Sequence, residues 1–377
     1  MKGAYIMENF PHIVISGSPY ERGVSYGKQA ADLINNALKN YEHLFDLSKE
    51  KVSWKDALAL VPNWIPAIKK LGAELLEEIR GIADGSQQPF EKILLLNCRS
   101  EVFAITPVSK NPEAGEECTT ITVLPERTTD GHLIVAQNWD MLHWAGDNAL
   151  VLEVLRDDGP DMLCICEAGM LARYGLNSSG LALTLSSIPI PGLTKPAGTP
   201  SIAIRRKFLS ETHFADAYSH IMEEAHMSGM HYAAGSGELG FAMSIEAYPG
   251  GKYVLYPQNG LLAHANNPRY QGYKFPDRAI GSTLYRDELI KQMLNLHEKI
   301  SVQDVKKALI SKRGAPFSVC AERVQGRKPD FEQGCTLAGI VMDATARRLW
   351  VRRGNNPETP YVEYHWTRPQ KAAADSL

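Results

Sequence analysis

Two short stretches, ALVLEVL (residues 149–155) and LLAHA (261–265), carry apolar side chains at odd and even positions alike. Successive side chains of a strand point to opposite faces, so a strand with one wet face alternates apolar with polar. These two do not alternate, and each must be covered on both sides. That points to a pair of sheets sandwiched by helices.

The material for the helical layers comes first in the chain. In RGVSYGKQAADLINNALKNYEHLFDL the apolar residues Ala30, Ile34, Leu38, Tyr41 and Phe45 recur every three or four positions, which predicts one amphipathic helix. Ile68, Leu71, Leu75, Ile79 and Ile82 predict a second, which Gly85 and Pro89 are expected to stop, and FEKILLLNCRSEVF predicts a shorter third. Residues 106–117, TPVSKNPEAGEE, have no periodicity of either kind and read as a loop.

From Cys118 the texture changes to strands: CTTITVLP, HLIVAQNW, ALVLEVL, MLCICEA and GLALTLSSI, and later GFAMSIEAYP, KYVLYP, GLLAHANN, TLAGIVMD and RLWVRRG. Asp130-Gly131 and Asp158-Gly159-Pro160 mark turns between early pairs, which suggests antiparallel hairpins. Helical stretches near residues 200–225 and 283–310 separate the strand groups. The pattern is an α+β chain with two largely antiparallel sheets, and no repeat or linker divides residues 1–377, so a single domain is expected.

A formal net charge of -3 with 22% charged residues supplies no field for nucleic acid or an anionic membrane, so the expected partner is a small molecule. No apolar run approaches a membrane span, and MKGAYIMENFPHIVIS has no apolar core of signal-peptide length, so a cytoplasmic location is expected. Six scattered cysteines read as thiols. Cys164 and Cys166 share one face of a strand and read as packing, no metal-ligand set stands out, and no phosphate loop is present. His143, His220 and His264 lack the papain signature CGSC around any cysteine, and Arg205, Arg206 and Lys207 read as a solvated helix face.

In EAGEECTTITV (113–123) an acidic loop runs directly into a strand-initial cysteine. If the bond before Cys118 were cut, its thiol would share a residue with a free α-amine of pKa about 8. That is a nucleophile with its base attached. The thiol is also placed to make the cut, by attacking the Glu117 carbonyl to give a thioester that water hydrolyses. The other reading of Cys118 is a small buried hydrophobe, as free cysteines commonly are. Asp140 in QNWD reads as a turn former or as the carboxylate that holds such an ammonium, and Asn266 before Asn267-Pro268 is ordinary loop chemistry.

The run CTTITVLPERTTDGHLIVAQNWDM, with its Cys-Thr-Thr strand, turn and Asn-Trp-Asp, resembles the processing-site segment of the isopenicillin N acyltransferase family, within the N-terminal nucleophile (Ntn) hydrolases. GSPYERGVSYGKQ, EEIRGIADG with ILLLNCRSE, GLNSSGLALTLSSI, HANN and GCTLAGIVMD extend the likeness in family order along nearly the whole chain. The resemblance implies a four-layer αββα Ntn-hydrolase sandwich. It also implies self-cleavage between Glu117 and Cys118 into residues 1–117 and 118–377, an α/β heterodimer.

On the same resemblance Cys118 is the nucleophile, Asp140 the catalytic aspartate, and Asn266 an amide donor to the oxyanion. Ser244 in FAMSIEAYP and Gln333 beside Gly334 fall at further functional positions of the family, as substrate or oxyanion residues. Gln333 stands where the acyltransferase has an arginine, Gln137 where bile-salt hydrolases have one, and Glu117 where a small residue is usual. The expected activity is hydrolysis of a small N-acyl amide, an N-acylated amino acid or amine, through a Cys118 thioester. The alternative is an acyl-CoA-dependent N-acyltransferase, with acyl-CoA as substrate and no cofactor or metal. A non-catalytic, unprocessed binding relative is the alternative of another class. The proline-rich SSIPIPGLTKPAGTP after GLALTL is a candidate lid.

Overall fold

The structure is a computed structural model that describes residues 9–47, 52–105, 118–188, 195–270 and 281–370. Glu117 with its loop, and the middle of the candidate lid (189–194), lie outside the described residues.

After a first strand β1 (His12–Ile15) the chain is helical: α1 (Pro19–Gln29), α2 (Ala31–Leu47), α3 (Trp54–Leu60), α4 (Ile65–Leu71), α5 (Ala73–Ser86) and α6 (Phe90–Ile105). Ser18 starts α1 with a capping box, its hydroxyl taking the Glu21 N–H while the Glu21 carboxylate returns to the Ser18 N–H, and Pro19 supplies a first-turn φ. The two long helices expected from periodicity are each broken, at Ala30 and at Gly72. Glycines set how α1 meets α5. A Cβ on Gly23 would stand 2.2 Å from Glu78 O and one on Gly27 2.4 Å from Ile82 O, while Gly81 and Gly85 give the reciprocal approaches to Tyr20 O and Val24 O. The helices touch backbone to backbone. Gly85 therefore does not end α5; the helix continues to Ser86 and Gln87 closes it at φ 57.

The strands that follow are β2 (Cys118–Val123), β3 (Ile134–Leu142), β4 (Ala149–Val154), β5 (Met162–Glu167), β6 (Tyr174–Asn177) and β7 (Leu181–Ile188). Helices α7 (Ser201–Ser210) and α8 (Phe214–Glu223) lead to β8 (Gly229–Ser236), β9 (Phe241–Tyr248), β10 (Gly251–Leu255) and β11 (Leu261–His264). Then come α9 (Arg286–Leu294), α10 (Val302–Leu309), β12 (Gly334–Asp343), β13 (Arg348–Arg353) and β14 (Val362–Tyr364). Among the described residues these form an eight-stranded sheet, β1-β4-β5-β6-β7-β8-β9-β10, and a six-stranded sheet, β11-β2-β3-β12-β13-β14. Every neighbouring pair is antiparallel except β1 with β4.

The sheets face each other through β2 and β3 against β7 and β8. Helices α7 and α8 lie on the outer side of the larger sheet, and α9 and α10 on that of the smaller one. The fold is the α+β, four-layer αββα sandwich, and every residue of β4 and β11 is buried, as apolar side chains on both faces of each strand require, with Glu153 and His264 enclosed among them. Arg205 and Arg206 correct the expectation of a solvated face. Helix α7 is enclosed by α4, α6 and the sheet, so both are buried: Arg206 Nη2 grips the two Glu78 oxygens at 2.9 and 2.8 Å, and Arg205 Nε donates to Ser201 O at 3.1 Å. All six cysteines are free thiols, and among the described residues no helix is long and apolar enough to cross a membrane.

Candidate active site

Strand β2 is built from β-branched residues after its cysteine and is buried at all six positions. Alternation sends Cys118 into the core between the sheets, while Ile121 and Val123 join the core beneath α9 and α10. Cys118 is opposite Trp139 in the β2–β3 register. Asp140 lies inside β3 and forms no turn; it stands opposite Thr336, and the register shifts between Thr336 and Ala338. This bulge aims Thr336 Oγ1 at Asp140 Oδ1, to which it donates at 2.6 Å.

Three of the residues singled out from sequence converge here. The Cys118 N–H donates to Asn266 Oδ1 at 2.8 Å, and the Asn266 amide nitrogen donates to Ser187 O at 2.8 Å. Asp140 joins them through Arg286, which sequence reasoning missed. Arg286 Nη1 donates to Cys118 O at 2.8 Å and to Thr119 Oγ1 at 2.6 Å, Nη2 donates to Asn266 Oδ1 at 2.8 Å, and Asp140 Oδ2 stands 3.9 Å from Nη1. The guanidinium is fully buried, and its Nε donates to Ser282 Oγ at 3.1 Å. A signal was present: Arg286 shares the buried stripe of α9 with Ile290 and Leu294, four and eight residues on. A cation on a core-facing stripe is a poor fit for a solvated face.

The other sequence candidates are held elsewhere. Gln137 Oε1 accepts the Leu185 N–H at 2.9 Å and links the sheets. Gln333 Nε2 donates to Lys328 O at 2.9 Å. Ser244 hydrogen-bonds His231 Nε2 in a buried network, in which His231 stacks on His264 at 3.7 Å and His264 Nε2 meets Glu246 Oε1 at 2.8 Å. Burial, then the neighbouring His264, push His231 well below the ordinary histidine range and keep it neutral. Ser186 Oγ gives its proton to Ala265 O at 2.7 Å and so accepts from His231 Nδ1 at 3.1 Å, which leaves Nε2 to accept from Ser244. His264 Nδ1 donates to Ala265 O at 2.7 Å, and Thr283 Oγ1 takes the Asn266 N–H at 2.8 Å, which fixes the peptide that carries Asn266.

The field around Asp140 is visible in a bystander. Burial, and then the Asp140 carboxylate, push the Cys335 thiol up to about 12. A cavity of about 540 Å³ between β10, β11 and α9 is lined by Leu255, Leu262, His264, Arg269 and Lys291 and does not touch Cys118. Among the described residues, ligand-type atoms of Asp130, His132 and Asp343 gather within 4.8 Å at the far end of β3. There His132 Nδ1 is engaged by Asp343 Oδ2 at 2.8 Å.

Two facing sheets between helical layers, with a thiol at the first residue of an inner strand, define an Ntn-hydrolase fold. The chain belongs to the acyl-coenzyme A:6-aminopenicillanic acid acyl-transferase family, whose model matches residues 127–358. That span includes Asp140 and Asn266 and begins after Cys118. The acyl-coenzyme A:6-aminopenicillanic-acid-acyltransferase 40 kDa form of Emericella nidulans is 27% identical over 361 residues, 93% of this chain and 95% of that protein. The beta-alanyl-dopamine/carcinine hydrolase of Drosophila melanogaster is 25% identical over 230 residues, 55% of this chain and 56% of that protein. Among solved structures, penicillin V acylase from Agrobacterium tumefaciens aligns with 14% identity and a TM-score of 0.43, over 64% of this chain and 84% of that one.

Proposed function

We propose that this chain is a self-processing cysteine Ntn hydrolase, matured by cleavage between Glu117 and Cys118, that cleaves a small N-acyl amide such as an N-acylated amino acid or amine. The observation that carries this reading is the hold on the first residue of β2: Asn266 Oδ1 takes the Cys118 N–H while Arg286 ties Cys118 O to the same Asn266 oxygen. A backbone clamped on both sides of its α-carbon keeps the thiol in one place.

In the proposed reaction Cys118 Sγ bonds to the substrate carbonyl carbon and its proton passes to the α-amine freed by maturation. The carbonyl π pair moves to oxygen, returns, and expels the substrate amine, which takes that proton. A thioester on Cys118 is left, and water attacks it with the α-amine again as base. Asp140, beside Arg286, sets the charge around that amine. Asn266 is the proposed amide donor to the oxyanion.

Intact-mass measurement of the purified protein tests the reading. Two chains meeting between Glu117 and Cys118 are expected, with Cys118→Ala remaining in one piece. An uncut chain whose Cys118 takes up no thiol label would overturn it. The acyltransferase relative, aligned over 95% of its length, favours one second reading, in which an amine replaces water as acceptor and acyl-CoA is the donor. A panel of N-acyl amino acids, N-acyl amines and acyl-CoA thioesters, with and without added amines, separates the two.

A further inference from the structure

The Cys118 thiol comes from the smaller sheet, and the larger sheet sends one hydroxyl to meet it. Tyr174, the first residue of β6, places its Oη 3.9 Å from Cys118 Sγ, a long hydrogen bond to sulfur, and both side chains are fully buried. Sequence reasoning gave no role to this tyrosine.

Its ring is held from several sides. Trp139, the cross-strand partner of Cys118, meets it edge-on at 6.2 Å and 68°. The Arg173 and Arg205 guanidiniums stand 5.2 and 5.9 Å from its centroid. Arg173 is itself anchored, by stacking 4.5 Å over Trp139 and by a 2.6 Å pair with Glu167. A phenol packed this way keeps its place, and rotation about its C–O bond is what remains to aim the proton. Two cations over the ring draw on its electron density and strengthen the O–H as a donor.

We propose that Tyr174 is a further catalytic residue, a hydrogen-bond donor to the Cys118 thiolate. The inference rests on the reading of Cys118 as the nucleophile. No proton is lost by Tyr174 in this role. The thiol proton goes to the Cys118 α-amine, and the Tyr174 O–H shortens onto the negative sulfur that remains. Hydrogen bonds to charged partners are the stronger class, worth about a factor of ten or more in an equilibrium.

Tyr174→Phe removes one oxygen and leaves the ring in its packing, so the full-length protein carrying it is the direct test. Two probes read the nucleophile: the pH dependence of iodoacetamide alkylation, followed at Cys118 by peptide mass mapping, and acylation by p-nitrophenyl acetate, followed as the burst of p-nitrophenolate. The expected result is an alkylation midpoint about one pH unit higher in the variant and an acylation rate at pH 7 about tenfold lower. Wild-type values for both in a folded variant would overturn the inference while leaving the proposed function intact. A wild-type Cys118 that reacts with neither probe would sink both. If Tyr174→Phe fails to fold, Arg205→Met is measured instead. It keeps the hydroxyl and removes one cation over the ring, so a smaller shift in the same direction is expected, and an unchanged midpoint is equally contrary.

Discussion

Arg286 Nη2 and Asn266 Oδ1 stand 2.8 Å apart in the interior of the protein, and that contact decides which way the asparagine amide faces. A guanidinium only donates, as does the Cys118 N–H that shares the same oxygen, so the amide nitrogen is turned to Ser187 O. The candidate nucleophile and the candidate oxyanion donor are thus oriented by one cation on α9.

Replacing Arg286 by Met is expected to leave the chain uncut, or to slow the appearance of the two-chain form at least about a hundredfold, because Asn266 and Cys118 lose their common donor. Lys at this position keeps the charge without the fork and should restore maturation in part. Removing one member of a buried charged network costs about 3–5 kcal/mol, so thermal unfolding of both variants must accompany the time course by intact mass. Maturation of the folded Met variant at the wild-type rate would show that the guanidinium is dispensable.

The fold was legible where burial leaves a periodic trace. The both-sided strands at 149 and 261 announced a double sandwich, and β2 begins at the residue where the texture changed. Short strands escaped notice: β1, β6, β8 and β14 are either three or four residues long or, like β8 with its sequence GMHYAAGS, poor in β-branched residues. At the site, Cys118, Asp140 and Asn266 came from motif likeness, and the structure brings them together. Arg286 left only a partial trace, a cation on the core-facing stripe of α9, and Tyr174 left none: each reaches Cys118 from an element distant in sequence, and only the layer packing puts them there.

The close contact of α1 and α5 predicts a stability cost that helix propensity alone would reverse. Alanine suits a helix interior better than glycine by about 1 kcal/mol. At Gly27, however, the added methyl would sit 2.4 Å from Ile82 O, which is backbone and cannot rotate aside. Gly27→Ala is expected to lower stability by about 1–3 kcal/mol through forced separation of the helices. Urea unfolding measures this, and a stabilised variant would mean that the helices separate at no cost.

Glu101 predicts a pH effect of unusual sign. Its Oε1 accepts the Ser201 N–H at the start of α7 at 2.9 Å, its Oε2 has no hydrogen-bond partner among the described residues, and burial pushes the carboxyl up to about 7. An unfolded chain loses this proton near 4.5. Between those values the folded state binds more protons, so this group's contribution to stability falls as pH rises. Glu101→Gln keeps the acceptor and removes the ionisation. Relative to wild type it should gain up to about 3 kcal/mol between pH 4.5 and 8. An equal difference at both pH values in denaturant unfolding would refute the assignment.

His226 predicts the opposite slope over an overlapping window. Its Nδ1 donates to Glu224 O at 3.0 Å and its ring meets Tyr232 edge-on at 5.6 Å. Burial, and then the charge of Lys252, lower it to about 4 against the pull of the Glu224 carbonyl. The unfolded imidazole titrates near 6.5, so between 6.5 and 4 the unfolded state takes a proton that the folded state refuses. Stability is present above the upper value and is lost as pH falls, by up to about 3 kcal/mol. His226→Asn retains an N–H for the Glu224 carbonyl and cannot titrate. It should be less stable than wild type at pH 7 through lost packing, yet lose less on acidification to pH 4.5. Unfolding free energies of the two proteins should therefore converge at low pH, and parallel curves would place the acid sensitivity on other groups.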